Sequence, residues 1–173
     1  MTIASTISLF PDRRDHHVAR MAAAALGLSL LEMAIPSPLP GVKPGLANIV
    51  TMIVMLRHGW KMAAWVTLLR ILAAAMLFGT LLSPAFFLSV AGGACSFLAL
   101  LAAARLPEYF FGAITRSILA AFFHIAGQLG LVYFWLIPQL GLLALTPLFA
   151  CAALLFGTLN GWIVARYFQV APS

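Results

Sequence analysis

Long apolar runs, separated by short polar or proline-containing breaks, extend over almost the whole chain. A helix needs about 20 apolar residues to cross the roughly 30 Å hydrocarbon core of a bilayer. Most of the runs reach that length, so the pattern predicts an all-α integral membrane bundle of about six transmembrane helices. The transmembrane domain is predicted at 17–168, between tails at 1–16 and 169–173. The predicted helices are 17–35, 46–56, 60–79, 84–104, 113–136 and 145–168.

The break before the second helix is the most unusual segment. Residues 36–45 contain four prolines and two glycines, and proline cannot continue a helix because it lacks the amide donor. The apolar run that follows, 46–56, makes only about 16 Å of helix. The sequence therefore predicts either a short second helix or a loop that enters the membrane, where irregular backbone needs a protein wall or a wet cavity. We interpret 36–51 as a mobile lid over a polar pocket.

Composition supports the membrane assignment, since 64% of the residues are hydrophobic and 8% are charged, against about 25% charged in soluble domains. The net charge of +6 comes from single basic residues between apolar runs, so no nucleic-acid partner is expected. The polar tail 1–16 and the long run after it indicate a retained first helix rather than a signal peptide. Cys95 and Cys151 lie within apolar runs, as small hydrophobes do, and no cofactor or metal is expected.

The basic residues also predict the orientation of the chain. With six helices, eight of the ten basic residues fall on one side, which the positive-inside rule makes the cytoplasmic side. Both termini of this multi-pass chain are then expected in the cytoplasm, and the membrane is the cell (inner) membrane. Lys43 is the only charge in the connections on the other side. The eight residues are Arg13, Arg14, Arg20, Arg57, Lys61, Arg105, Arg116 and Arg166.

Arg70 falls near the middle of the third helix, where a charged side chain costs about 2.5–3.5 kcal/mol on insertion scales. A lipid-facing arginine is therefore not expected there. Glu32, in the outer third of the first helix, is one possible partner in a structural ion pair. Direct contact between Arg70 and a ligand is the alternative.

Other polar side chains fall at a similar predicted depth. His124 and Gln128 share a face of the fifth helix, because they are four residues apart, and Asn48 and Thr51 share a face of the second. Each alone fits an interhelical hydrogen bond, but polar groups at one depth in an apolar protein indicate a binding site. Ser89 shares a face with Gly92, Gly93 and Ser96, which fits close helix packing or a pocket wall, and Asn160 falls in the inner half, apart from the others. The candidate substrate-binding residues are Glu32, Lys43, Asn48, Thr51, Arg70, Ser89, His124 and Gln128.

A ligand class follows from the charges of these residues. Two cations and one carboxylate give the candidate site a formal charge of +1, which suits a small polar or anionic ligand. Ala19, Ala23 and Gly27, at spacings of four in the first helix, allow another helix to approach closely. They fit either internal packing or docking of a partner.

Several runs resemble a known family: Pro-Gly-Val-Lys-Pro-Gly-Leu-Ala-Asn-Ile-Val-Thr at 40–51, Leu-Arg-Ile-Leu at 69–72, Ser-Val-Ala-Gly-Gly at 89–93 with Ser96, and His-Ile-Ala-Gly-Gln at 124–128. The chain resembles, over about 20–168, the Gx transporter family. That family is often labelled heptaprenyl diphosphate synthase component I and is similar to the substrate-binding S components of energy-coupling factor (ECF) vitamin transporters. Its members usually have His-Asn where this chain has His124-Ile125.

The resemblance implies a six-helix fold with an outward-facing pocket that the first loop closes. It also implies that small residues of the first helix dock on a transmembrane coupling subunit, which ATPases serve. Here these are Ala19, Ala23 and Gly27.

The residues themselves do not favour the enzyme label. Prenyl diphosphate chemistry needs clustered carboxylates to hold Mg²⁺ on the diphosphate, whereas this chain has four acidic residues and no aspartate-rich motif. It also lacks a phosphate-binding loop of the ATPase type. The leading hypothesis is a non-enzymatic, membrane-embedded substrate-capture subunit for uptake of a vitamin or cofactor precursor. The alternatives are a membrane subunit of a flavin- or quinone-linked electron-transfer system and an accessory component of prenyl diphosphate synthesis.

Overall fold

The computed structural model describes residues 13–34, 45–107, 109, 111–136 and 140–170. These residues form six α-helices and no strand, which confirms the predicted all-α bundle. A π-helical turn, Val132–Leu136, extends the fifth helix, and a 3₁₀ helix, Leu140–Leu145, precedes the sixth. The α-helices are α1 (Arg13–Ala34), α2 (Ala47–His58), α3 (Trp60–Leu77), α4 (Pro84–Ala103), α5 (Ala113–Leu131) and α6 (Thr146–Val170).

Four of these helices are long and apolar enough to cross a membrane by themselves: α3, α4, α5 with its π turn, and α6. The helix α2 has only 12 residues, so the short second helix is confirmed. The helix α1 has 22 residues and begins at Arg13 rather than at residue 17. Its first turns carry Asp15, His16 and His17, which lower the hydropathy of the whole helix.

Glycine and proline define two of the connections. Gly59 alone joins α2 to α3; its φ is 86°, a conformation that other residues rarely adopt, and its N–H donates to the Met55 carbonyl at 3.1 Å. At the start of α4, the Ser83 hydroxyl accepts a hydrogen bond from the Phe86 N–H, and Pro84 occupies the first turn. Both features are favourable at a helix start.

The bundle consists of two groups of three helices. The helices α1, α2 and α3 pack on one another, and α5 packs closely on both α4 and α6. The contact between α5 and α6 depends on Gly157 and Gly161, where added Cβ atoms would lie 2.9 Å from the Ile118 Cα and 2.5 Å from the Ile114 Cα. The two groups meet in an apolar core that includes Val54, Val66 and Val164, all fully buried.

We call the end of the bundle where α1, α3 and α5 begin the basic end, and the other the opposite end. Two contacts align the helices at the basic end: the Arg57 guanidinium donates to the Tyr167 hydroxyl at 2.6 Å, and the Nε2 atoms of His17 and His58 lie 3.0 Å apart. The described cations near this end are Arg13, Arg20, Arg57, Lys61, Arg105, Arg116 and Arg166.

The helix α2 begins deep inside the bundle. The Asn160 side chain donates to the Gly45 carbonyl, just before α2, at 3.3 Å. At 1.5 Å per residue, Asn160 lies about 15 Å from the end of α6 at Val170. The chain therefore enters α2 close to the middle of α6, as expected if the preceding break reaches membrane depth. Residues 35–44, with most of the predicted lid, lie outside the described part of the chain.

The contact between His17 and His58 predicts a pH dependence of stability. Burial first, then His17 and Arg57, lower the pKa of His58, which lies at the exposed end of α2 beyond its apolar turns. A lowered pKa means that the unfolded chain binds the proton more readily. The stabilising contact is therefore complete above the ordinary imidazole pKa of about 6.5 and is lost as the pH falls from there through the lowered value.

We expect the midpoint of thermal unfolding to decrease as the pH is lowered from about 7.5 to about 5.5, because protonation of His58 places a positive charge beside His17 and Arg57. In the His58→Gln variant this part of the dependence should be absent. His16→Gln is the matched control, because His16 is an exposed histidine next to His17. Equal pH profiles for the wild type and His58→Gln would contradict the prediction.

Candidate functional site

A cavity of about 590 Å³ lies among the six helices, in the half of the bundle nearer the opposite end. Each of the six helices contributes at least one lining residue, from Ser29 on α1 to Asn160 on α6. Pockets for small molecules typically measure about 300–1,000 Å³. This cavity is therefore large enough for a ligand of vitamin size.

Five of the eight candidate substrate-binding residues line this cavity. They come from four successive helices, and the fold brings them to one space. The five are Asn48 on α2, Arg70 on α3, Ser89 on α4, and His124 and Gln128 on α5.

The close approach of α4 to α5 positions His124 and Gln128. A Cβ atom added at Gly92 would lie 2.8 Å from the His124 Nε2 and 3.0 Å from the Gln128 Cγ. The absence of a side chain at Gly92 therefore lets both polar side chains lie across the α4 backbone. Gly92 belongs to the face of α4 that carries small residues, which the sequence analysis assigned to close helix packing or to a pocket wall. The structure shows close packing against α5 at Gly92, whereas Ser89 lines the cavity.

The deepest part of the cavity is formed around Gly45. Its carbonyl accepts hydrogen bonds from the Asn48 N–H at 2.9 Å and from the Asn160 side chain at 3.3 Å. A Cβ atom on Gly45, whose φ is 70°, would lie 3.6 Å from the Asn48 Nδ2 and 3.7 Å from the Asn160 Nδ2. Two side-chain amides therefore converge here and form a polar floor.

Asn160 corrects the sequence analysis, which placed it apart from the candidate site. The error came from treating each helix as starting at a membrane surface. Because α2 starts near the middle of α6, Asn48 and Asn160 lie at the same depth, and both line the cavity.

Thr51 is also placed differently from the expectation. It is 2% exposed, does not line the cavity, and lies 3.3 Å, hydroxyl to hydroxyl, from Thr67 on α3. Thr51 and Asn48 lie on nearby faces of α2, but the helix runs toward the basic end and carries Thr51 below the cavity floor. Its role is a hydrogen bond between α2 and α3.

Two candidates cannot be placed. The Glu32 side chain and the whole of Lys43 lie outside the described part of the chain. Contact of Lys43 with a ligand and the ion pair between Glu32 and Arg70 therefore stay predictions.

Phenylalanines form much of the rest of the cavity wall. Phe149 and Phe156 share a face of α6 with Asn160, because the spacings of seven and four residues match two turns and one turn of helix. Along this face, Phe149 lies nearest the opposite end and Asn160 lies deepest. The α6 side of the wall is therefore apolar toward the opposite end and polar toward the floor, while Thr80 and Ser89 add polar groups near the opposite end. The lining residues that the sequence analysis did not select include Ser29, Phe78, Thr80, Phe86, Ser117, Phe149, Phe156 and Asn160.

The described part of the cavity wall is positively charged. Among the lining residues that the structure describes, Arg70 is the only charged one and none carries a carboxylate. His124 adds a side chain that can donate a hydrogen bond or carry a second positive charge. In an apolar surrounding, this wall favours a ligand with an anionic group.

The small residues of α1 face away from the bundle. Ala19 and Ala23 are exposed, and no atom lies within 4 Å of a Cβ atom placed on Gly27, whereas Ala22 and Ala25 are buried against the core. On α1, internal packing is therefore provided by Ala22 and Ala25. Ala19, Ala23 and Gly27 are instead open to lipid or to a partner helix.

The chain was compared with known proteins. A family model described as heptaprenyl diphosphate synthase component I matches residues 21–167, which include the described lining of the cavity. No curated protein and no solved structure matches the chain.

Proposed function

This chain belongs to the family described as heptaprenyl diphosphate synthase component I, and we propose that it is a substrate-capture subunit for uptake of a small anionic molecule, such as a vitamin or cofactor precursor. The family match confirms the resemblance found in the sequence. The observation that carries the proposal is that polar side chains from several helices line one cavity inside an apolar bundle. Buried polar groups in a membrane are costly, and where they converge they mark a binding site.

Capture rather than catalysis fits the chemistry of the wall. The transfer of a prenyl diphosphate needs carboxylates that hold Mg²⁺ against the diphosphate, and no carboxylate is among the lining residues that the structure describes. Arg70, His124, Gln128 and the two asparagine amides are instead donors of hydrogen bonds. Such a set holds an anion in place without changing it.

The proposal extends to partners and orientation. The chain lacks a nucleotide-binding loop, so active uptake needs a coupling subunit and ATPases. The exposed stripe of Ala19, Ala23 and Gly27 is the proposed contact with the coupling subunit, because small residues let helices approach closely. We place the basic end in the cytoplasm of an inner-membrane protein, so that the mouth of the cavity faces outward.

The family description favours one other function, an accessory role in prenyl diphosphate synthesis. An accessory subunit of that kind would bind an isoprenoid diphosphate or change the activity of a partner synthase. The two functions differ in what the cavity holds, which can be measured directly.

We expect the protein, purified in mild detergent, to carry one small anionic molecule that native mass spectrometry detects at close to one per chain. Gly92→Ala should lower this occupancy, because the new methyl group displaces His124 and Gln128, whose flexible side chains can move without unfolding the helix pair. Gly130→Ala is the matched control, since no atom lies within 4 Å of a Cβ atom there. A bound isoprenoid diphosphate would support the accessory role, and a bound chromophore would support the electron-transfer alternative. Equal occupancy in Gly92→Ala and Gly130→Ala would refute capture in this cavity.

A further inference from the structure

A second cleft, of about 450 Å³, opens at the basic end, between the turn that joins α2 to α3 and the end of α4. It shares no lining residue with the candidate substrate cavity. Its lining residues are Met55, Gly59, Trp60, Leu101, Ala104 and Arg105.

The cleft follows from the way the two groups of helices are joined. The helices α3 and α4 are connected at the opposite end, and at the basic end α3 packs with α1 and α2 while α4 packs with α5. The cleft in the seam between them lies beside Gly59, which has no side chain to fill it. No described atom lies within 4 Å of a Cβ atom placed on Gly59.

The walls and the rim of the cleft differ in chemistry. Met55 and Leu101 are apolar and line the inner part, and Trp60 is 52% exposed. Tryptophan prefers the boundary between the hydrocarbon and the headgroups of a bilayer. Arg105 lines the cleft and is an exposed cation. Lys61, the exposed residue after Trp60, adds a second cation, with its Nζ 5.6 Å from the centre of the Trp60 ring.

We propose that this cleft binds an anionic phospholipid, with an acyl chain against Met55 and Leu101 and the phosphate at Arg105 and Lys61. An apolar slot continuous with the bilayer accepts an acyl chain without exposing it to water. An arginine after the end of α4 and a lysine at the start of α3 suit a phosphodiester, because the guanidinium donates two parallel hydrogen bonds and the ammonium adds charge. Basic pockets between membrane helices recognise anionic headgroups in this way.

The bound lipid would fill the seam between the two groups of helices. It touches α2 and α3 on one side and α4 on the other, so it adds contacts that the protein alone does not make there. The lipid is therefore expected to raise the thermal stability of the folded chain.

The test uses the full-length protein in detergent, titrated with phosphatidylglycerol or phosphatidylcholine of equal chain length and followed by native mass spectrometry. One phosphatidylglycerol should bind per chain more tightly than phosphatidylcholine, and it should raise the midpoint of thermal unfolding. Each of the variants Arg105→Gln and Lys61→Gln should weaken phosphatidylglycerol binding about fivefold. Ala104→Phe should abolish it with both charges retained, because the ring would occupy the exposed position just after α4 that lines the slot.

Arg166→Gln is the matched control. Arg166 also lies at the basic end, with its guanidinium carbon 5.6 Å from the centre of the Trp162 ring, but it is outside the cleft. Equal binding of the two lipids, or equal weakening by Arg166→Gln and Arg105→Gln, would overturn the proposal in favour of general surface charge. If millimolar inorganic phosphate displaced the lipid, the cleft would be an anion site rather than a lipid site. If two chains associated through the cleft, it would be a protein–protein contact rather than a lipid site.

Discussion

Gly161→Ala is expected to lower the stability of the bundle by about 3 kcal/mol, the upper part of the usual range for overpacking. The added Cβ atom would lie 2.5 Å from the Ile114 Cα and 3.1 Å from the Ala113 carbonyl oxygen. Both are backbone atoms of α5, so relief requires separation of α5 from α6. In an unconstrained helix the same change would be stabilising by about 1 kcal/mol.

The measurement is the midpoint of thermal unfolding in detergent, together with the yield of monodisperse protein. Gly130→Ala is the control, because Gly130 also lies in a helix and has open space at its Cβ position. Gly130→Ala should be neutral or slightly stabilising. Equal unfolding temperatures for Gly161→Ala and Gly130→Ala would show that α5 and α6 do not approach as closely as described.

Arg70→Gln is expected to weaken binding of the captured ligand roughly tenfold to a hundredfold. A hydrogen bond to a charged group contributes about 1.5–3 kcal/mol, and Arg70 is the only charged residue in the described part of the cavity lining. Arg70→Lys should fall between the wild type and Arg70→Gln, since lysine keeps the charge but not the planar fork. Titration of the ligand identified by native mass spectrometry, followed by calorimetry, gives the affinities.

Glu32 provides the internal control for this result. If Arg70 is held by the Glu32 carboxylate, Arg70→Ala leaves a buried charge uncompensated, and adding Glu32→Gln should restore much of the lost stability. Additive losses of stability would mean that the two residues do not interact. Unchanged affinity in Arg70→Gln, with normal stability, would instead remove Arg70 from the site.

The helix positions were predictable because the breaks between them carry strong local signals. Ser83 with Pro84 begins α4 and Gly59 separates α2 from α3, as their chemistry requires. Much of the polar cavity wall was also predictable, because polar side chains are rare in this chain and each costs free energy in a bilayer. Arg70, His124 and Gln128 therefore stand out in sequence as well as in structure.

The sequence did not reveal the depth at which each helix begins in the bundle. A helical repeat gives the face on which a residue lies but not the level at which that helix begins. This explains why Thr51 lies below the cavity and why Asn160 lies within it. The phenylalanine wall was missed for another reason: the chain has 13 phenylalanines, and those that face lipid cannot be separated from those that face a ligand by residue type.

The deep start of α2 has an electrostatic consequence. The aligned peptide dipoles of a helix give its first turn about half a positive charge. In α2 the Asn48 and Ile49 N–H groups donate to the Gly45 and Leu46 carbonyls, and these bonds leave the dipole in place. No side chain caps the start of α2, which adjoins the amide floor of the cavity. The positive end of the short helix α2 is therefore directed into the cavity from its floor. For this reason, a preference for anions over neutral molecules is expected to persist, in weakened form, even after Arg70 is replaced.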